Sequence, residues 1–292
     1  MHKRSNNSAF PFETIATAIA LSPRAENILH ESKRLAEQFN AELILIHVGK
    51  KTEEKKNKLD ALLNKAGINK EKPTIVWKDG AVAESILDSC KNYKVDLLVF
   101  GAIDKESLYK YYVGSVARDL CRKAKCSLLL ITSPLKNGQR FNHIVVNGVQ
   151  HPKTKSTVNT ALYFSQKTFV KELTIVGELT SKKAIQHDDD NRSVNNLNRE
   201  RNKIIQEEEN RLTALFELDK DEMKFNISRK YIFGKIGHSI GLFAQTVRAD
   251  LLVVNSPNKK LGLIDRLFPH DIEYILGDLP CNLLIVHTRN IE

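Results

Sequence analysis

VDLLVFG at 95–101 returns 154 residues later as ADLLVVN (249–255), and KCSLLLIT (125–132) returns as PCNLLIVH (280–287), 155 residues on. Two earlier pieces match at a shorter offset of 129 or 130: TIATAIA (14–20) with HIVVNGV (143–149), and AELILIHV (41–48) with KELTIVGE (171–178). Self-similarity at this period points to two copies of one folding unit rather than to one large core. The change of offset requires an insertion in the second copy between Glu178 and Ala249, a span containing the polar stretch SKKAIQHDDDNRSVNNLNRERN (181–202). That stretch is expected to be a surface loop leading into a lengthened helix.

Within each copy, short Ile-, Val- and Leu-rich runs alternate with amphipathic stretches, the pattern of successive βαβ units on a parallel sheet covered on both faces. In copy one the pattern predicts strands near 13–20, 42–48, 74–77, 95–101 and 126–132, with helices near 24–39, 52–66, 81–93 and 111–124. The fold class that follows is α/β, with two tandem five-stranded parallel-sheet sandwiches. Their expected domains are 1–136 and 141–292, joined by PLKNGQR (134–140), whose Pro, Asn and Gly mark a turn.

Composition narrows the function. No apolar run approaches the ~20 residues of a membrane span, and Glu13 and the helical pattern after it argue against reading MHKR plus TIATAIAL as a secretory leader. The four cysteines form no CxxC pair and suit buried apolar positions in a reducing cytoplasm, where the chain is expected to reside. The net charge of +10 is spread over stretches such as KKTEEKKNK (50–58), mixed with glutamate and without interleaved aromatics. A solvated surface is expected, with no nucleic-acid partner and no membrane insertion.

In an open parallel sheet, ligands bind beyond the carboxyl ends of the strands, which here are 20–23, 48–50, 79–81 and 101–115. The last holds Gly101, Gly114 and Ser115: a glycine ending a buried strand, then Gly-Ser opening a helix with free N–H groups, a hydroxyl and a positive dipole end. A strand end followed by a helix cap accounts for the same residues. His270 and Asp271 in FPHDIEYIL (268–276) read as capping groups near Glu273, and HDDD (187–190) as solvated residues of the insertion rather than metal ligands. There is no GxxxxGK[ST] loop, no SGGxDS-type loop, and no Ser-His-Asp or Cys-His arrangement; IGHS (236–239) is not a HIGH motif. No enzyme is indicated, and catalytic and metal sites are expected to be absent.

The segments IATAIALSP (15–23), AELILIHV and VDLLVFGAIDKESLYKYYVGSVARDLCRKAKCSLLLI (95–131), echoed by ADLLVVNSP (249–257) and LPCNLLIVH (279–287), resemble the universal stress protein family in a tandem two-domain form. The resemblance implies an adenine-nucleotide alpha-hydrolase-like, Rossmann-like fold, a role in stress response, and final strands (127–132 and 282–287) that pair across a pseudo-twofold axis. The two domains would form an intramolecular pseudo-dimer, with homodimers and unidentified protein partners also in view. Nucleotide-binding members carry G, two residues, G, nine residues, then G with S or T, plus an aspartate ending the first strand. Gly101, Gly114 and Ser115 match that pattern, whereas the middle glycine is Asp104 and the first-strand aspartate is Ala20. Asp104 would repel a triphosphate and Ala20 cannot accept a ribose hydrogen bond. The implied adenine slot, at Ser22 and the Val48 backbone, still has room for AMP or another small adenylate; weak binding of AMP or ATP is the expectation, and tight ATP binding is not. In copy two the loop positions read Asn255, Asn258, Pro269 and His270, and the phosphate loop is expected to be lost. The leading expectation is a non-catalytic ligand-sensing or interaction module. The alternatives are slow Mg-dependent nucleotide hydrolysis at the Asp104 loop and a structural interaction protein without small ligand.

Overall fold

The computed structural model describes residues 9–68, 73–104, 111–132, 141–179, 194–215, 223–257 and 269–288. Copy one runs β1 (Thr14–Ala18), α1 (Ala25–Phe39), β2 (Glu42–Val48), α2 (Glu53–Lys65), β3 (Thr74–Lys78), α3 (Val82–Asn92), β4 (Leu97–Gly101), the two-residue strands β5 (Ile103–Asp104) and β6 (Tyr111–Tyr112), α4 (Ser115–Lys123) and β7 (Ser127–Ile131). Copy two runs β8 (His143–Asn147), α5 (Thr154–Thr168), β9 (Glu172–Leu179), α6 (Val194–Thr213), β10 (Asn226–Phe233), α7 (His238–Thr246), β11 (Leu251–Asn255), α8 (Pro269–Gly277) and β12 (Asn282–Val286). The apolar runs became strands because helices cover both sheet faces, so β7 and β12 are buried at every position.

The ten longer strands make one sheet in the order β3-β2-β1-β4-β7-β12-β11-β8-β9-β10. All neighbours are parallel except β7 and β12, which meet antiparallel with Leu130 opposite Leu283, Leu129 opposite Leu284 and Leu128 opposite Ile285. The two sandwiches are therefore halves of a single sheet. A side chain closes each end of the seam: Thr132 N donates to Asn282 Oδ1 at 2.9 Å, and His287 N donates to Ser127 Oγ at 3.2 Å. Ser127 and Asn282 open the last strand of their respective copies, so the closure obeys the pseudo-twofold.

The helices repeat that symmetry with different chemistry on each face. On one, α1 meets α5 through rings, with Phe39 at 5.5 Å from Tyr163 and 5.4 Å from Phe164 between centroids. On the other, the Glu273 carboxylate of α8 accepts from Arg118 at 2.7 Å and from Arg122 at 2.8 Å, both on α4. Burial pushes the Cys121 and Cys281 thiols up to about 12, so neither forms a thiolate readily. Cys126 is half-buried while Cys90, Cys121 and Cys281 are buried. Ellman's reagent at pH 8 is expected to label Cys126 rapidly and the others only as the chain unfolds; rapid labelling of Cys121 or Cys281 would contradict this packing.

The repeated aspartate of VDLL and ADLL has a structural duty. Asp96 Oδ2 accepts from the backbone N–H of Glu13 and Thr14 at 2.7 and 3.0 Å, and Asp250 Oδ2 accepts from Asn142 and His143 at the same distances. Each carboxylate thus fastens the start of the central strand of its half. Asp96→Ala orphans two donors and is expected to cost about 2 kcal/mol, read from the urea midpoint. A change below a few tenths would leave the pair without that role.

Two expectations need correction. The helix expected from 111 begins at Ser115, because Tyr111 and Tyr112 pair with Asp104 and Ile103 as an antiparallel ribbon and Gly114 enters the helix from an extended conformation. The first strand ends at Ala18, although Ile19 N still donates to Ile46 O at 2.9 Å. The insertion lies between β9 and β10: the offset is 130 where Ile44 corresponds to Thr174 and 154 where Thr74 corresponds to Ser228. Part of it is helical, α6 having 20 residues against 13 in α2. The join 134–140, and within the insertion 180–193 with HDDD, lie outside the described residues.

Candidate functional site

At the carboxyl edge of copy one, the order β2-β1-β4 sets three strand ends side by side. Val48, half-buried, ends β2, and Gly49 follows at φ +144, its N–H donating to Lys78 O at 2.7 Å. Beyond β1, Ala20 and Ser22 are exposed in a turn where Ser22 N donates to Ala20 O and Ala25 N to Ser22 O. Gly101 ends β4 exposed, and a Cβ on it would lie 3.3 Å from Ile28 Cδ1. The Ile28 side chain of α1 therefore lies against the strand end and would have to shift slightly for any residue larger than glycine. Gly114 is the N-cap of α4, with no side chain capping the first turn, and Ser115 is exposed beside it. All five expected residues thus stand along one edge. Asp104 lies in β5 with its backbone opposite Tyr111.

Sequence reasoning missed two residues here. Arg24, N-cap of α1, reaches across to donate to Ala102 O at 3.3 Å, placing a guanidinium beside the loop after β4. His47 is buried, its Nδ1 lies 2.9 Å from Ile19 O, and its ring meets Trp77 edge-on at 4.7 Å. It occupies the carbonyl at the end of β1.

The equivalent edge of copy two is filled by its own side chains. Asn255 stands where copy one has Gly101: its Oδ1 accepts from Thr157 Oγ1 at 2.5 Å and its Nδ2 donates to Thr154 Oγ1 at 3.0 Å. Thr157 replaces Ile28, so a polar clasp stands where, in copy one, the Ile28 side chain lies against glycine. Lys153 replaces Arg24 and donates to Ser256 O, Ser256 Oγ and Pro257 O at 3.2, 2.9 and 3.1 Å. All three ammonium donors are used, and burial holds this amine below the usual lysine range.

Glu178 takes the place of Val48. Its buried carboxylate accepts from Gly237 N and Ile240 N at 3.1 and 2.9 Å, and from Asn147 Nδ2 at 3.1 Å, and so caps α7. An internal anion thereby satisfies the helix N-terminus. Arg211 of α6, paired with Glu208, donates to Gly148 O, the carbonyl equivalent to Ile19 O. Of the copy-two loop positions, Pro269, His270 and Asp271 lie at the start of α8, and Asn258 lies outside the described residues. The signal for Arg24 and Lys153 was present in the repeat, where SPR (22–24) aligns with HPK (151–153).

Residues 49–132 match the model of the Universal stress protein family. Among solved structures, the chain is similar to a functionally unknown protein from Pseudomonas aeruginosa PAO1, at 15% identity, covering 94% of this chain and 92% of that one with a TM-score of 0.67. A universal stress protein from Archaeoglobus fulgidus DSM 4304 is similar at 13% identity over 94% and 98% of the two chains, with a TM-score of 0.61. The cytoplasmic domain of a prokaryotic cation chloride cotransporter is similar at 14% identity over 96% and 97%, with a TM-score of 0.51. At such identities the likeness is one of fold, running through both repeats. A search of curated proteins finds no significant match. Among the described residues, no helix is long and apolar enough to cross a membrane.

Proposed function

We propose, for a chain whose first repeat carries a universal stress protein domain and whose second repeats that fold, that it is a non-catalytic sensor with one adenylate site per molecule, in copy one. The boundary is set in the join 134–140, with copy two acting as the packing partner. One observation carries the reading: Gly101 is exposed and Val48 half-buried at the edge of copy one, whereas their equivalents in copy two are engaged through their side chains, Asn255 in the threonine clasp and Glu178 in the cap of α7.

In copy one the adenine would lie by the Val48 backbone and Ser22. A phosphate would meet the first turn of α4 at Gly114 and Ser115, with the Arg24 guanidinium nearby. Among the described residues of this edge no hydroxyl is hydrogen-bonded to a histidine or carboxylate side chain, which supports retention rather than turnover as the role. Fold alone does not decide function, as the cotransporter domain illustrates.

Isothermal titration with AMP and ATP is the test. One mole of AMP per chain should bind, more tightly than ATP, and Gly101→Val should weaken it at least about tenfold by driving a side chain into Ile28. ATP binding tighter than AMP, or two sites per chain, would overturn the reading.

A further inference from the structure

Two of the four cysteines stand together. Cys90, in the last turn of α3, is buried in the core, and its thiol is hydrogen-bonded to the sulfur of Cys126, which packs half-buried against the same core just before β7. The loop between α3 and β4 holds both backbones: Val95 N donates to Cys90 O at 2.9 Å, and Ser127 N donates to Asp96 O at 3.0 Å. Adjacent residues of one loop therefore fix the contact. The hydrogen bond to Cys126, and after it burial, push the Cys90 thiol above its usual range. Of the pair, Cys126 is the sulfur that a solute can reach, and Cys90 stands behind it.

Copy two supplies the comparison. Ala249 N donates to Ala244 O at 2.9 Å as Val95 N does to Cys90 O, so Ala244 takes the place of Cys90, and Cys281 takes that of Cys126. Ala244 is fully buried, so packing alone asks for no sulfur at this position. Cys281 is buried as well, and its thiol donates to Asn282 O at 3.3 Å. The role of a small buried apolar residue accounts for Cys121 and Cys281. It does not account for a second sulfur placed against an accessible one, which is the arrangement of thiols that respond to oxidants.

We propose that Cys90 and Cys126 form a reversible dithiol, oxidised by hydroperoxides to an intramolecular disulfide. The Cys126 thiolate attacks the peroxide: an S–O bond forms, the O–O bond breaks, and the departing oxygen takes a proton and leaves as water or an alcohol. Cys90 then attacks the sulfur of the resulting sulfenic acid. The S–S bond forms, the S–O bond breaks, and hydroxide leaves as water with the proton that Cys90 gives up. The two thiols lose two electrons and two protons to the peroxide, and a small dithiol restores them by exchange. The bond ties α3 to the residue before Ser127, whose hydroxyl closes one end of the seam. It is independent of the adenylate site in copy one.

The test treats the full chain, reduced and freed of reductant, with hydrogen peroxide in the presence of dimedone, followed by alkylation with N-ethylmaleimide and peptide mass mapping. The native chain is expected to form a Cys90–Cys126 disulfide within one chain, reversed by dithiothreitol, with Cys121 and Cys281 recovered as alkylated thiols. Cys90→Ala installs the residue that copy two carries at this place. It should lose the disulfide and accumulate a dimedone adduct at Cys126 that the native chain does not retain. Equal dimedone adduct in the native chain and Cys90→Ala, a disulfide formed only between chains, or oxidation that spares Cys126 would each overturn the proposal.

Discussion

Replacing Glu178 by alanine is expected to cost about 4 kcal/mol, a large part of the stability of a chain this size. The carboxylate is buried and serves Gly237 N, Ile240 N and Asn147 Nδ2 together, so its loss leaves buried donors without an acceptor and opens a void. Glu178→Gln separates charge from shape. Its single oxygen can keep the two backbone donors, but its amide then meets Asn147 Nδ2. If Asn147 turns over to accept, Val149 N loses its 2.9 Å bond to Asn147 Oδ1. About half the alanine cost is therefore expected for glutamine, measured by chemical denaturation. Equal stability of native chain and alanine variant would refute the capping role.

The second large effect concerns the seam. Leu129 and Leu284 are fully buried and in direct register across β7 and β12, and each of the two larger core clusters draws residues from both copies. Leu284→Ala should cost about 3 kcal/mol. The loss should be felt in copy one as well. Trp77, the single tryptophan, lies in β3 and reports copy one alone, while far-UV circular dichroism reports both copies. The two signals should give one urea midpoint in the native chain, and both midpoints should move together in Leu284→Ala. A Trp77 transition left in place by that substitution would show that the halves unfold separately.

Much of this architecture was legible in the sequence because buried parallel strands announce themselves as apolar runs, and a repeat supplies each run with a control. The expected strands at 42–48 and 74–77 differ from β2 and β3 by no more than a residue. Tyr111 and Tyr112 misled because aromatic residues ahead of a helical pattern fit its period, while their pairing partners, Asp104 and Ile103, lie seven and nine positions earlier in the chain. At the site, the change from Gly101 to Asn255 was visible, but the hydroxyls that hold Asn255 come from Thr154 and Thr157, about a hundred positions away in the chain. In the sequence Glu178 is only the last residue of the matched run KELTIVGE. Only the fold brings α7 onto it, giving the carboxylate a purpose that spacing could not express.

The antiparallel junction of β7 and β12 also changes the order of the folding equilibrium. Two separate subunits joined by such a junction would come apart on dilution, with a Tm that falls as protein concentration falls. Here both strands belong to one polypeptide, so their pairing is a unimolecular event that dilution does not undo. The copies are free to diverge, because neither must recognise another copy of itself: α4 offers Arg118 and Arg122, and α8 needs only Glu273 to answer them.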